Sequence, residues 1–392
     1  MLLLDIFSGA GGLSKGLSMS EAFQPIANIE CDHAAARTYE NNFPQAHVFK
    51  ERIENVTPES VLDVIRKKGH SKIDAICGGP PCRPFSKANR GSTQWKIVKE
   101  TQNIARHPDW INYLRFVREL KPSFVIAENV MGFRRNTEVF APFVNALKRM
   151  GYSVSPTLLN VSKFGVPQTR ERIIIIAAKG KFSSSDLVPI QQDRKVPTVH
   201  DAIIDLPKLN NEKHGKEISS YTMRPSSNYA SLLRSRQDIL YNHVVHSVHP
   251  VVQKRFQYIP QGYNLKKAWN EGKIPKDILC AGYELRGRIR KYTPEAMNNI
   301  HGNIYRRIKW KSPSPTITHP RKTVLIHPSQ NRLLSVRECA RIQGFPDSFR
   351  FFGSINQQYQ QVADAVPPLL SMEIGIKLNS LVRENTPLII AR

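Results

Sequence analysis

The run Ile173-Ile174-Ile175-Ile176-Ala177-Ala178 constrains this chain more than any other feature, because it is apolar without a break and opens on four β-branched residues. A strand with one wet face alternates apolar and polar residues, whereas an unbroken apolar strand has both faces covered. Leu2–Phe7, Ala27–Glu30, Ile73–Cys77 and Phe124–Ala127 are further short apolar stretches with helical sequence between them. In one helical stretch Trp110, Leu114 and Val117 recur at i, i+4 and i+7, which puts them on one face. Strand–helix alternation with buried strands predicts an α/β fold, a mostly parallel sheet covered by helices on both faces.

The character changes after about residue 181, where Ser183-Ser184-Ser185 open a polar stretch rich in proline and histidine. Apolar patterning returns at Leu333-Leu334, with helices expected over Ser335–Gln343 and Leu369–Val382. The expected domains are 1–185, an inserted smaller domain over 186–315, and a C-terminal return over 316–392 that completes the first. The formal net charge of the chain is +25. Residues 251–330 hold 16 Lys/Arg against 4 Asp/Glu, so about half of that charge lies in 80 residues. Such a surplus repels itself unless a polyanion is the working partner, and nucleic acid is the first choice. A membrane fits poorly, because no apolar run approaches the ~20 residues of a spanning helix. Asp5 cuts short the opening Met1-Leu2-Leu3-Leu4, so neither a signal peptide nor an anchor is expected. Cys31, Cys77, Cys82, Cys280 and Cys339 are odd in number and lack paired spacing. Free thiols in a reducing, cytoplasmic setting are expected, without disulfides or zinc.

Four strings carry chemistry. Asp5-Ile6-Phe7-Ser8-Gly9-Ala10-Gly11-Gly12 leads a strand into a glycine-dense turn, where backbone can approach a ligand. Ser14 takes the third glycine position of the dinucleotide fingerprint, so that motif fails. Glu30, at the end of the next strand, can hold ribose hydroxyls; alone, the pair also fits a structural turn and a capping acid. Gly78-Gly79-Pro80-Pro81-Cys82-Arg83 sets a thiol on a rigid turn beside basic residues that favour its ionisation. The other four cysteines read as small core hydrophobes. Glu128-Asn129-Val130 places a carboxyl at a strand end. Gln168-Thr169-Arg170-Glu171-Arg172 sets two guanidinium groups on one face of a strand, suited to phosphate or carbonyl oxygen.

Taken in order, and followed by Arg337-Glu338-Cys339-Ala340-Arg341-Ile342-Gln343-Gly344-Phe345-Pro346-Asp347 and Gln361-Val362-Ala363-Asp364-Ala365-Val366-Pro367-Pro368, these strings resemble the motif series of the DNA cytosine-5 methyltransferases, in particular the bacterial modification enzymes. The resemblance covers residues 1 to about 180 and about 310 to 370. It implies a Rossmann-like, S-adenosylmethionine-dependent methyltransferase domain with an inserted target-recognition domain. It implies that Cys82 adds to carbon 6 of a cytosine and that Glu128 bonds its N3 and amino group. Arg172 then contacts the base O2, with Arg170 beside it. S-adenosylmethionine is assigned to Asp5, Phe7, Gly9, Gly11, Gly12, Glu30, Pro80, Asp364 and Ala365. The implied partner is duplex DNA, with a cognate restriction endonuclease acting separately, and the chain is expected to act as a monomer.

Further readings accompany this one. The segment Ser86–Arg106 reads as a loop that closes on a flipped-out base. Ser86, Arg286, Arg288 and Arg290 are candidate DNA contacts, with phosphate favoured for most. Pro313–Thr318 resembles the family's hinge back from the insert. His243, His246 and His249 recur every third residue without a nearby acid or cysteine, so no metal site is expected. Three positions depart from the family pattern: Arg83 after the thiol, Arg52 where an adenine-binding aspartate is usual, and Ala363-Asp364 in place of Gly-Asn. An RNA cytosine-5 methyltransferase fits less well, because about 150 residues separate the Arg172 strand from the Arg337 helix. Intact Cys82, Glu128 and Arg172 argue against a DNA-binding protein with a decayed core. The failed fingerprint argues against an oxidoreductase.

Overall fold

The computed structural model describes residues 1–81, 108–135, 137–191, 195–209, 215–285, 287–298, 300, 304–318 and 324–389. The chain divides into two compact units, Met1–Val166 with Arg170–Lys195 and Ala365–Arg392, and Pro167–Thr169 with Val196–Asp364. The expected boundary at 315/316 falls inside the second unit, and the segment that rejoins the first begins at Ala365.

The first unit is built on a seven-stranded sheet, β1 (Leu2–Ile6), β2 (Gln24–Ile29), β3 (His47–Phe49), β4 (Ala75–Gly78), β5 (Phe124–Asn129), β6 (Tyr152–Asn160) and β7 (Glu171–Lys179). Their order across the sheet is β3-β2-β1-β4-β5-β7-β6. Strands β1 to β5 pair in parallel, and β7 runs antiparallel to both its neighbours. This is the α/β architecture expected from the strand–helix alternation. In β7, Ile173 to Ala178 are each no more than 2% exposed, so both faces of the strand are covered. Complete burial is the reason the run carries no polar residue.

The covering helices are α1 (Gly12–Met19), α2 (His33–Asn42), α3 (Pro58–Lys67), α4 (Pro108–Leu120), α5 (Met131–Arg135) and α6 (Thr137–Arg149). In α4, Trp110 and Val117 are buried and Leu114 packs beside them, on the face that their spacing predicted. Trp110 stacks on Phe133 with ring centroids 4.2 Å apart. Asp32 and Thr57 cap α2 and α3 by accepting from the Ala35 and Ser60 N–H groups.

The outer strand β6 has no counterpart among the sequence expectations. Ser153, Pro156 and Thr157 are partly exposed, and only Tyr152, Ser155 and Leu159 are buried along it. A partly covered edge strand of this kind has neither the apolar run of β7 nor strict alternation.

The last helix, Pro368–Ile389, closes the first unit by lying against α1. The contact is close at two glycines. A Cβ added at Gly16 falls 2.0 Å from the Pro368 carbonyl oxygen, and one at Gly375 falls 2.3 Å from Ser20 Oγ. No described helix is long and apolar enough to cross a membrane.

The second unit has its own apolar core, including Phe256, Ile259, Leu265, Leu279, Met297, Ile326 and Leu333. Two-stranded ribbons join Gly215–Ser220 to Ile239–Val244 and Tyr283–Leu285 to Arg288–Arg290. Its most buried element is ionic. All eight residues of helix Val336–Gln343 are buried, Arg337, Glu338 and Arg341 among them. Arg341 bonds Asp347 at 2.5 and 2.6 Å and lies 3.3 Å from Asp205. Arg337 donates to the carbonyls of Tyr241, Pro346 and Phe349. Glu338 takes both nitrogens of Arg332 at 2.7 Å and closes a capping box with Ser335. Burial alone raises the Glu338 carboxyl, but Arg332 outweighs it and holds the group well below the ordinary carboxylate range.

Gly16→Ala forces α1 away from the Pro368 carbonyl. Overpacking of this kind costs about 1–3 kcal/mol, and a lower urea midpoint at unchanged slope is the expected result.

Candidate active site

Because β1, β2, β4 and β5 are parallel, their carboxyl ends open along one edge of the sheet, the usual functional edge of such folds. Each of the four chemical strings of the first unit begins or ends there.

The turn after β1 is left-handed three times, at Phe7 (φ 59°), Gly9 (φ 53°) and Gly11 (φ 90°). Glycine suits such a conformation, whereas Phe7 pays for it in strain of about 1 kcal/mol or more. Phe7 is held in place by its N–H, which donates to the Ile29 carbonyl at 3.0 Å. At Gly11 an added Cβ would lie 2.8 Å from the rings of Tyr39 and Phe43. At Gly12 it would lie 2.3 Å from the Val366 carbonyl oxygen. Ala365 adjoins this contact, and its carbonyl accepts from Arg170 Nη2 at 3.1 Å. Gly12 and Arg170 thus grip the Ala365-Val366 backbone from two elements.

Glu30 follows β2. Its Oε2 accepts from the Gly9 N–H and its Oε1 from the Asp32 N–H, each at 2.8 Å. Burial raises the Glu30 carboxyl above its usual range, against the pull of these amides. A carboxylate has about four acceptor sites, so Glu30 can still accept from a further donor such as a hydroxyl. Asp5, expected among the cofactor contacts, lies beneath the turn. It is fully buried, and its Oδ2 accepts from Ser14 Oγ at 2.6 Å.

The Gly78-Gly79-Pro80 turn leaves β4 beside the end of β5. Asn129 Nδ2 donates to the Pro80 carbonyl at 3.0 Å, and Asn129 Oδ1 accepts from the Val130 N–H at 2.8 Å. The middle residue of Glu-Asn-Val therefore stitches the two turns together. Glu128 lies next to Gly79, whose added Cβ would be 3.4 Å from Glu128 Oε2. Its Oε1 pairs with Arg172 Nε at 2.8 Å, with both side chains largely sheltered.

Arg170 and Arg172, expected as parallel neighbours, have different partners. Arg170 is buried and bonds the Ala365 backbone, whereas Arg172 meets Glu128 and donates to the Glu171 carbonyl. Regular pairing in β7 begins at Glu171, so Arg170 precedes the strand instead of alternating within it. Cys82, Arg83, Ser86, the remainder of the expected closing loop, and Arg286 lie outside the described residues.

Arg288 and Arg290 stand exposed on their ribbon in the second unit. Asp364, also of that unit, is exposed and accepts from Gln360 Nε2 at 2.6 Å. Arg52, at the adenine-binding aspartate's position, is exposed and pairs with Glu54 at 3.4 Å. The three histidines have separate roles. His243 is buried between Ser335 Oγ and the Pro207 carbonyl. His246 Nδ1 bonds the Ser247 carbonyl, and His249 caps a helix and stacks on Tyr283.

The sequence reading singled out neither Tyr39 nor the part that Ser14 plays. The available signal was Ser14 itself, a polar residue where the fingerprint has glycine.

Against this geometry, residues 1–380 match the family model of the C-5 cytosine-specific DNA methylases. The chain belongs to that family. It is 30% identical to the type II methyltransferase M.DdeI of Desulfomicrobium norvegicum, over 97% of this chain and 88% of that protein. It is 29% identical to type II methyltransferase M1.HphI of Haemophilus parahaemolyticus, over 96% of this chain and 87% of that one. It is also 29% identical to mouse DNA (cytosine-5)-methyltransferase 1 over 96% of its own length, but spans only 28% of that protein. The same share, 28%, is spanned of the Paracentrotus lividus enzyme PliMCI. In fold it resembles a protein described as a prophage-encoded DNA modification methyltransferase (E. coli). That likeness has a TM-score of 0.73 at 22% identity, over 98% of this chain and 99% of that chain.

The Asn129 stitch can be tested directly. Asn129→Ala leaves the buried Pro80 carbonyl without its donor and is expected to cost about 1–2 kcal/mol in chemical denaturation. Asn41→Ala, on the exposed face of α2, is expected to change stability by less than about 0.5 kcal/mol.

Proposed function

We propose that this protein methylates carbon 5 of a cytosine in a specific duplex DNA sequence, using S-adenosylmethionine. The observation that carries this reading is the Glu128–Arg172 pair beside the Gly79-Pro80 turn, two residues from the Cys82 thiol in sequence. Family membership and the +25 charge support it.

Carbon 5 of cytosine is too weak a nucleophile to take a methyl group unaided. Cys82, as thiolate, adds to carbon 6, and the displaced electron pair makes carbon 5 enamine-like. Glu128 donates a proton or hydrogen bond at N3 and stabilises the ring as it gains that density. Arg172 orients the Glu128 carboxyl and offers its remaining N–H groups to O2. S-adenosylmethionine supplies the methyl group. A base then removes the carbon 5 proton, and the returning electron pair expels the thiolate from carbon 6. The reacting atoms are stacked within duplex DNA, so the base must leave the helix first.

The features of the β1 turn suit the cofactor. Phe7 offers a ring, Gly9, Gly11 and Gly12 allow close approach, and Glu30 accepts ribose hydroxyls. Ala365 adjoins the turn at Gly12, and Pro80 is assigned to the edge of the cofactor site. Asp5 supports it from below, and Asp364 provides a carboxylate for the methionine ammonium. Residues 186–315 read as the target-recognition insert, where Arg288 and Arg290 contact phosphate, together with Ser86 and Arg286. The bacterial relatives' names support a role in protecting DNA from a cognate endonuclease. The protein is read as a cytoplasmic monomer that needs no stable complex with that nuclease.

A duplex carrying 5-fluorocytosine at the target position tests the chemistry, since fluorine cannot leave as a proton does. Wild type should give a covalent adduct that survives denaturing electrophoresis, and so should a variant lacking the thiols of Cys31, Cys77, Cys280 and Cys339. Cys82→Ala should give none; an adduct with that variant overturns the mechanism. The basic insert makes its own prediction. Binding should weaken steeply with salt, and Arg288→Ala or Arg290→Ala should each reduce the slope of log K against log salt by about one, uniformly across sequences.

A further inference from the structure

Beneath the β1 turn lies a buried polar chain. Ser14 Oγ, in α1, donates to Asp5 Oδ2 at 2.6 Å and lies 2.8 Å from the Tyr39 hydroxyl of α2. Ser14 has one proton, which Asp5 takes, so Tyr39 donates to Ser14 and the chain runs Tyr39 to Ser14 to Asp5. Cys77 of β4 pairs with Asp5 across the parallel strands, and its thiol adjoins the carboxyl. All four residues are essentially inaccessible to solvent. Among the described residues no lysine or arginine forms a salt bridge with Asp5.

A buried carboxyl without a cation holds its proton. Burial raises Asp5 from 3.8 to about 7, with the Ser14 and Cys77 hydrogen bonds pulling it back and the charge on Glu30 raising it further. Apart from Glu30, whose charge opposes ionisation of Asp5, the titratable groups that face it stay neutral. Tyr39, Cys77 and Tyr113 of α4 are all pushed well above their ordinary values by burial. The ligand that binds the turn is therefore the source of positive charge most readily supplied.

We propose that Asp5 is a positioning residue of the cofactor turn whose proton is released when a cationic ligand binds above it, so that its ionisation favours the sulfonium cofactor over the uncharged thioether product. This rests on the S-adenosylmethionine reading. That cofactor carries an ammonium, a sulfonium and a carboxylate, for a net charge of +1, whereas S-adenosylhomocysteine has lost the sulfonium charge. The Asp5 carboxyl gives its proton to solvent, and the buried carboxylate attracts a cation bound above the turn by its charge. The sign follows from linkage. A ligand that prefers ionised Asp5 binds more tightly as pH rises through the Asp5 titration and no further above it.

Calorimetric titration with each ligand at about pH 6, 7 and 8 tests the proposal. For wild type, the affinity ratio of S-adenosylmethionine to S-adenosylhomocysteine should rise roughly three- to tenfold over that interval. Asp5→Asn, with the fold checked by circular dichroism, should hold the ratio constant within about twofold. Glu30→Gln should keep the rise but move its midpoint to lower pH, because the charge that opposes ionisation of Asp5 is gone, and both affinities should fall. Ser14→Ala should keep it with a higher midpoint, because a hydrogen bond that favours the carboxylate is gone. A rise that is undiminished in Asp5→Asn overturns the proposal. Should Asp5→Asn fail to fold, carbon-13 NMR of labelled aspartates in wild type decides. One carboxyl should titrate near neutrality and move to lower pH on addition of S-adenosylmethionine; no aspartate titrating above about pH 5 overturns the proposal. A wild-type chain that binds neither ligand at any pH overturns the methyl-transfer reading instead, and this inference with it.

Discussion

The contact of Gly12 with the Val366 carbonyl is the constraint on which the functional edge of the first unit depends. A helix start, a segment from the far end of the sequence and the lead-in to β7 meet here. No side chain fits between them. Arg170 fixes the remaining freedom by bonding the Ala365 carbonyl. The β1 turn is thus held by covalent continuity with β1, by Glu30 through the Gly9 amide, and by backbone that is more than 350 residues distant in sequence. That arrangement explains how a short glycine turn, intrinsically the least ordered kind of segment, offers a fixed surface.

The second unit solves a different problem. Beside its apolar core it buries a cluster of charged side chains. Arg337, Arg341, Glu338, Arg332 and Asp347 are inaccessible or nearly so, and each is met by an opposite charge or several carbonyls. Breaking such a pair leaves an unmet buried charge and is far costlier than the pair is worth. The string Arg337 to Asp347 is thereby explained without catalytic duty. Its ions are structural, and they tie one helix to the 205, 241 and 349 segments in a single arrangement.

Much of this was legible in the sequence because burial leaves a compositional trace. The β7 run was unmistakable, and so was the face of α4. The edge strand β6 was not, because half-covered strands carry serines, threonine and a proline in the order that loops do. At the site, the residues that chemistry demands stood out, whereas those that position them did not. Asn129 was visible as part of a string, but its bond to Pro80 joins residues 49 apart. Ser14 was noted only for failing a motif. Arg170 and Arg172 are two apart and so appeared equivalent, yet the strand begins between them and they separate. Alternation applies only where the pleat exists.

The two margins of the large sheet have a consequence beyond this chain's own fold. On one side β3 is only three residues long, and on the other β6 carries Pro156 at its midpoint, facing Ile175 of β7. An exposed strand edge is a template on which another chain can add, and through which fibrils grow. A three-residue edge offers too few donors and acceptors to hold a guest strand, and a proline withholds one amide where a guest ladder needs continuity. The apolar density that makes β7 so stable would be hazardous at a margin. Placed one strand inward, behind an interrupted neighbour, it is kept away from the margin at which another chain could add.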